Sequence, residues 1–335
     1  MARRISWLAI CVLALGGCAG NHSALSPGGP RAQQIADLML LFVGVSAGIY
    51  LIVIALLLWS LRRGRASSGP YSEEKAAPAE ARARLAIGGG IAVTVCVLLG
   101  LAIADFTVQR SLSQHPADAL RILITGHQYW WEIEYDDPEP TSRIRTANEF
   151  RIPVDRPVEL VLTSRDVIHS FWLPSLSGKK DLIPGHTNTE LVIAQKPGTY
   201  TGQCAEFCGL QHAQMRLSVT AVSAAEFENW KHQELAPARE PATDTERQGR
   251  DVFERSSCSL CHTIQGTLAS ATIGPDLTHI AARATLAAGT LPNDPASLSS
   301  WILAPQRIKP GAQMPATPLR PADLAALTTY LASLQ

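Results

Sequence analysis

Cys204-Ala205-Glu206-Phe207-Cys208-Gly209-Leu210-Gln211-His212-Ala213-Gln214-Met215 sets two thiols, one imidazole and one thioether within twelve residues. Such donors are soft, and soft donors select copper over magnesium or calcium. Two thiolates can bridge two metal ions. Each ion then needs terminal donors, which His212 and the weaker Met215 begin to supply. A second imidazole has to come from elsewhere. His169, in Asp166-Val167-Ile168-His169-Ser170, follows a strand-like run and is the best candidate. A mononuclear blue copper site uses one cysteine, so the second argues for two ions. Tetrahedral zinc would leave Met215 without a reason. A bare Cys204–Cys208 disulfide would leave both His212 and Met215 without one.

A second soft-donor signature follows at Cys258-Ser259-Leu260-Cys261-His262. It reads as c-type haem attachment, with two thioether bonds to the haem vinyl groups and an adjacent imidazole for the iron. After residue 39 the chain has only two methionines, Met215 and Met314. One stands in the first run and the other downstream of the haem motif, so each site has one thioether. Two redox centres on one chain imply electron transfer rather than bond chemistry.

Working outward, residues 120–125, 158–163, 190–194 and 216–222 are β-rich, and turns such as Asp136-Asp137-Pro138 and Lys196-Pro197-Gly198 separate them. Short strands at such spacing indicate an all-β sandwich or barrel. Residues 223–234 read as a short amphipathic helix. Residues 235–245, rich in Pro, Ala and charge, read as a linker. Beyond it strand signals vanish, and 245–256, 298–304 and 321–334 read as helices. The expected division is 107–232 for the β-domain, 233–244 for the linker and 245–335 for an all-α haem domain.

Before residue 107 the apolar residues gather in three runs. Residues 5–17, behind Arg3 and Arg4, read as the core of a signal peptide spanning 1–17. The run ends Leu15-Gly16-Gly17-Cys18, which resembles a bacterial lipobox. On that reading Cys18 becomes the lipidated first residue; on the alternative it is incidental to a simple signal or anchor. Residues 35–61 and 85–106 would make helices of about 40 Å and about 33 Å, enough to cross a bilayer as a two-helix hairpin within segment 18–106. Gly88, Gly89 and Gly90 weaken the second helix and would let a neighbouring helix approach closely. The intervening segment carries Arg62, Arg63, Arg65, Lys75, Arg82 and Arg84, against Arg31 alone before the first span. The positive-inside rule puts that loop in the cytoplasm and residues 107–335 on the opposite face. Cys96 falls mid-span and reads as a small apolar packing residue. A formal net charge of zero gives no electrostatic case for nucleic acid.

Residues 30–222 resemble subunit II of the haem–copper cytochrome c oxidases, with two membrane spans followed by a cupredoxin-like barrel. The resemblance rests on Gly126-His127-Gln128, Val167-Ile168-His169-Ser170, Pro174-Ser175-Leu176, Asp181-Leu182-Ile183-Pro184-Gly185 and the Cys204–Met215 run. It implies a binuclear copper A centre with His169, Cys204, Cys208, His212 and Met215 as side-chain ligands and Glu206 as a backbone-carbonyl ligand. It also implies that the Glu206 carboxylate helps to hold magnesium at the subunit I interface. Residues 245–335 resemble a class I cytochrome c. Gly274-Pro275-Asp276-Leu277 is similar to the segment that orients the proximal histidine, and Lys309-Pro310-Gly311-Ala312-Gln313-Met314-Pro315 to the distal methionine loop. The implied axial pair is His262 and Met314.

Taken together, the two resemblances imply a caa-type oxidase subunit in a bacterial inner membrane, with both redox domains on the periplasmic side. Electrons would come from a cytochrome c or a bc-type complex. They would leave to subunit I, where oxygen is reduced to water with proton pumping, alongside the oxidase's other subunits. A nitric oxide reductase with a similar copper subunit is the alternative enzyme, and a free-standing membrane-tethered electron carrier is the alternative of another class. Three positions depart from the family. Gln-Tyr129-Trp130-Trp131 replaces a pattern whose first aromatic is tryptophan, the family's intake point for electrons, so Tyr129 and Trp130 become the candidate path. Ala86 stands where many relatives carry a glutamate at a proton channel. His186 stands where arginine is usual.

Overall fold

The second and third apolar runs, 35–61 and 85–106, fold as helices. The computed structural model describes residue 20 and residues 22–64, 73–114 and 116–335. The expected signal segment 1–17, Cys18 and Arg65 lie outside these residues. Helix α1 (Pro30–Gly64) and helix α2 (Glu73–Leu112) are both long and apolar enough to cross a membrane. Their apolar side chains, among them Leu51, Ile52, Ile91 and Val93, are exposed within the chain. Helix α2 runs unbroken through Gly88, Gly89 and Gly90. An unpaired backbone group in lipid costs several kcal/mol, against ~1 kcal/mol per glycine, so helix wins. A Cβ built on any of the three would meet nothing within 4 Å. No described helix of this chain therefore uses the close approach that they permit.

A second unit is built from an N-terminal strap and the residues after 115. Ten strands come first: β1 (Leu120–His127), β2 (Trp130–Tyr135), β3 (Arg145–Ala147), β4 (Glu149–Pro153), β5 (Val158–Ser164), β6 (His169–Trp172), β7 (Lys179–Leu182), β8 (Asn188–Val192), β9 (Gly198–Cys204) and β10 (Arg216–Val222). They form two five-stranded sheets, ordered β3-β2-β1-β5-β8 and β4-β10-β9-β6-β7. Alternation decides which side chains turn inward. Along β5, Val158, Leu160 and Leu162 are buried while Glu159, Val161 and Thr163 are only partly so. The inward residues meet Ile122, Ile133, Trp131 and Phe171 in a core that also takes in Cys204, Cys208 and Met215. The arrangement is the expected cupredoxin-like β-domain.

The strap lies along this domain. Gly28 N–H donates to the Ser175 carbonyl, and Gln195 N–H to the Gly28 carbonyl. A Cβ at Gly29 would sit 1.9 Å from the Ile193 oxygen, so only glycine lets the strap approach this closely.

Helices then take over. Helix α3 (Ala224–Glu234) starts at a capping box made by Ser223 and Glu226, and α4 (Asp244–Arg255) at one made by Thr243 and Glu246. After the short pair β11 (Thr285–Leu286) and β12 (Leu291–Pro292) come α5 (Pro295–Leu303), α6 (Pro305–Ile308) and α7 (Pro321–Ala332). Helix α4 crosses α7 at Gly249, where a Cβ would lie 2.2 Å from the Ala326 carbonyl oxygen. Around that crossing Phe253, Leu298, Ile302, Leu327 and Tyr330 form the second core.

Candidate metal centre and haem cavity

Strand register gathers the soft donors. Strands β9 and β10 pair antiparallel with Gln203 opposite Arg216, so the Cys204–Met215 run is the loop that joins them. Cys204 N–H donates to the Met215 carbonyl at 3.0 Å and closes that loop. Strand β6 pairs with β9, Phe171 opposite Cys204, which brings His169 alongside. Cys204 Sγ lies 3.9 Å from Cys208 Sγ and 3.9 Å from His169 Nδ1. Cys208 Sγ lies 3.7 Å from His212 Nδ1 and 4.0 Å from Met215 Sδ. The Glu206 carbonyl oxygen is 3.2 Å from Cys204 Sγ.

These separations test the donor set. A disulfide would need about 2.0 Å, and both cysteines are free. Donors sharing one tetrahedral ion, each bonded at 2.0–2.3 Å, stand about 3.3–3.8 Å apart, and the 3.7–4.0 Å separations here lie at or just above the top of that range. The observed spacing thus suits soft donors around metal. His169, Cys204 and Cys208 are all buried, with ligand atoms within 4.8 Å of one another.

The surroundings orient these donors. Asp166 Oδ1 binds His169 Nε2 at 2.8 Å, leaving Nδ1 toward the thiols. The same carboxylate accepts from Gln128 N–H and Val167 N–H, each at 2.7 Å. Burial alone would raise the Asp166 carboxyl, but hydrogen bonds from His169, Val167 and Gln128 outweigh it and hold it below its ordinary value. Burial would lower His169, yet contacts with Cys204 and Asp166 leave it raised. The two thiols act on one another: their contact lowers Cys204 and, together with burial, raises Cys208. Gly126 makes room, since a Cβ there would lie 2.8 Å from the His169 ring. Asp166, Gly126 and the Gln128 amide were not singled out as site residues from sequence. The three-residue step from Asp166 to His169 was the local signal for Asp166, and Gly126 and Gln128 stood in the quoted Gly126-His127-Gln128 motif.

The haem motif sits at the end of α4. Cys258, Cys261, His262 and Met314 all line one largely apolar cavity, with Phe253, Leu286, Leu298 and Ile302. His262 Nδ1 bonds the Pro275 carbonyl at 2.7 Å, which leaves Nε2 for a ligand. Burial holds His262 below its ordinary value. A Cβ on Gly274 would lie 2.6 Å from the His262 ring. A fixed imidazole, two thiols and a thioether on an apolar cavity fit covalent haem.

Gln128 and Tyr129, from the turn between β1 and β2, and Trp130, the first residue of β2, line that same cavity. They also hold the soft-donor loop: Gln128 Nε2 donates to the Cys208 carbonyl at 2.6 Å, and Leu210 N–H to the Tyr129 hydroxyl at 3.1 Å. His127, expected to be packed or hydrogen-bonded, binds Glu132 at 3.0 Å and stacks on Trp130. The Glu206 side chain is half-buried and joins no further cluster of metal donors among the described residues.

Two family models match the chain. That for the periplasmic domain of cytochrome c oxidase subunit II covers residues 139–222, and that for cytochrome c covers residues 247–335. Across 343 aligned residues, 100% of this chain and 97% of the relative, it is 35% identical to cytochrome c oxidase subunit 2 of Alkalihalophilus pseudofirmus. The chain belongs to the cytochrome c oxidase subunit 2 family. Cytochrome c oxidase subunit 2 of Bacillus subtilis is 31% identical over 256 residues, 73% of this chain and 70% of that one. Among solved structures, the periplasmic domain of subunit II of cytochrome oxidase from Bradyrhizobium japonicum is 32% identical, covering 36% of this chain and 96% of that chain at a TM-score of 0.34. Membership makes the chain a membrane-bound subunit of the oxidase complex that passes electrons to subunit I. Its periplasmic domain implies copper A, and its cytochrome c domain implies covalent haem c.

Proposed function

We propose that this chain is the electron-accepting subunit of a caa-type oxidase. His169, Cys204, Cys208, His212, Met215 and the Glu206 carbonyl would hold binuclear copper A. Cys258 and Cys261 would bond haem c, with His262 and Met314 on the iron. When bound, these groups supply one-electron carriers, the His/Met pair favouring a raised potential.

One observation carries the reading: the turn at Gln128, Tyr129 and Trp130 both lines the haem cavity and holds the Cys204–Met215 loop. The protein's own task is placement. Asp166 fixes the His169 tautomer, Pro275 fixes that of His262, and the β9–β10 pairing holds the thiols. Donors fixed this way move little on a change of charge, which suits electron relay. The donor would be a cytochrome c or a bc-type complex on the periplasmic side. Subunit I would reduce oxygen to water and pump protons, and a magnesium ion at its interface would take the Glu206 carboxylate.

Metal and haem analysis of the full-length chain in detergent, with optical and electron paramagnetic resonance spectra, tests this. Two coppers in a mixed-valence signal and one covalent haem are expected. One copper or none after reconstitution would refute the copper assignment. Recovery without a large polytopic partner would favour the free-standing carrier.

A further inference from the structure

Lys309 opens the Lys309-Pro310-Gly311-Ala312-Gln313-Met314-Pro315 loop, yet it is only 2% exposed. Its Nζ donates to three carbonyl oxygens: Ala287 at 2.7 Å, Gln214 at 2.8 Å and Tyr129 at 2.9 Å. An ammonium has three N–H bonds, and each finds an acceptor. Ala287 belongs to the haem domain. Gln214 lies in the soft-donor loop beside Met215, and Tyr129 lies in the turn that lines the haem cavity. No carboxylate pairs with Lys309 among the described residues. Burial pushes its pKa down to about 7, a cost that an apolar side chain would avoid. What the cation brings in return is register, because it fits only where three carbonyls from three segments converge.

Other contacts cross the same boundary. The Glu149 carboxylate accepts from Ala284 N–H and Thr285 N–H, each at 2.8 Å. Arg216 N–H donates to the Ala288 carbonyl at 3.2 Å. Leu210 reaches the Met314 loop, within 3.2 Å of where a Gly311 Cβ would stand.

We propose that Lys309 is a positioning residue that locks the haem domain onto the copper-binding loop and so fixes the Met314 loop against Gln214. The docking role stands on this geometry; its consequence for electron transfer rests on the function proposed above.

Hydrogen exchange on the full-length chain carrying haem tests the lock. In Lys309→Met the Gln214 and Tyr129 carbonyls lose a charged donor. The amides of Ala284, Thr285 and Arg216, which do not touch Lys309, should then exchange roughly 100-fold faster, as loss of two charge-assisted hydrogen bonds implies. Amides inside β5 and β10, such as Leu162 and Val219, should keep their protection. Haem-to-copper transfer, measured by flash reduction, should become slower and viscosity-dependent. Lys309→Arg, which keeps the charge, should restore part of the protection. Unchanged exchange at Ala284, Thr285 and Arg216 in Lys309→Met would overturn the proposal. If that variant loses its sheet protection as well, Lys309→Gln is read at the same three amides by the same criterion. Exchange is read whatever the copper content, whereas a misassigned copper site would show as missing copper in the unmodified chain.

Discussion

Asp166→Asn removes one charge and no volume. Asp166 Oδ1 serves His169 and Val167, and Oδ2 serves Gln128. An asparagine keeps its oxygen toward two of these donors and must turn its NH₂ toward the third. One buried N–H is then left facing another donor, at a cost of about 1–3 kcal/mol. The two surviving bonds lose their charge assistance, which roughly halves them. A total loss of about 2.5–6 kcal/mol in folding stability follows. Metal retention should fall as well, because an imidazole that loses its outer partner typically weakens metal affinity by roughly 10–100-fold. Both losses can be read on the full-length chain, stability by denaturant titration and affinity by chelator competition followed through the copper signal. Copper released at the same chelator concentration as in the unmodified chain would show that Asp166 does not support His169 in the way argued.

Tyr129→Leu should slow haem-to-copper transfer, since it removes the hydroxyl that holds Leu210 and an aromatic ring on the haem cavity; an unchanged stopped-flow rate would take Tyr129 off the path. Met314→Leu should keep haem attached through Cys258 and Cys261 while lowering its reduction potential, and redox titration with an unaltered midpoint would exclude Met314 as axial ligand. Hydrogen bonding from Arg320 and attraction to Arg320 and Arg255 hold the Asp323 carboxyl below its ordinary value. A carboxyl depressed on folding adds stability above its unfolded pKa of about 4, and that stability fades as pH falls through the folded value. The melting-temperature gap between the unmodified chain and Asp323→Asn should therefore stay constant from pH 7 to about pH 4 and close below it. A gap that persists unchanged at the acid end would assign the loss to packing instead.

The donors that sit next to one another in sequence were legible, because a single loop holds Cys204, Cys208, His212 and Met215, and a single turn holds Cys258, Cys261 and His262. His169 was legible as the imidazole that the count required. Strands β1, β5 and β10 showed through their alternating apolar residues, whereas β3, β6 and β7 are three or four residues long and carry too little pattern. The helix expected over 85–106 forms despite the low propensity of Gly88, Gly89 and Gly90, since local propensity does not register the solvent around a helix. Lys309 was quoted only as part of a methionine loop. Its partners lie 180, 95 and 22 residues away, and no local spacing encodes contacts of that range. Glu149 was invisible for the same reason.

Gly274 carries a consequence of another kind. Every single-base change that replaces a glycine codon's amino acid introduces a side chain with a Cβ, and here that atom would stand 2.6 Å from His262 Cε1 and 2.9 Å from Nδ1. Inherited variation at this codon therefore has no mild option. A lesion there would disturb the His262 imidazole while leaving intact all four side chains proposed to hold haem, so a genetic screen restricted to those four positions would pass over it.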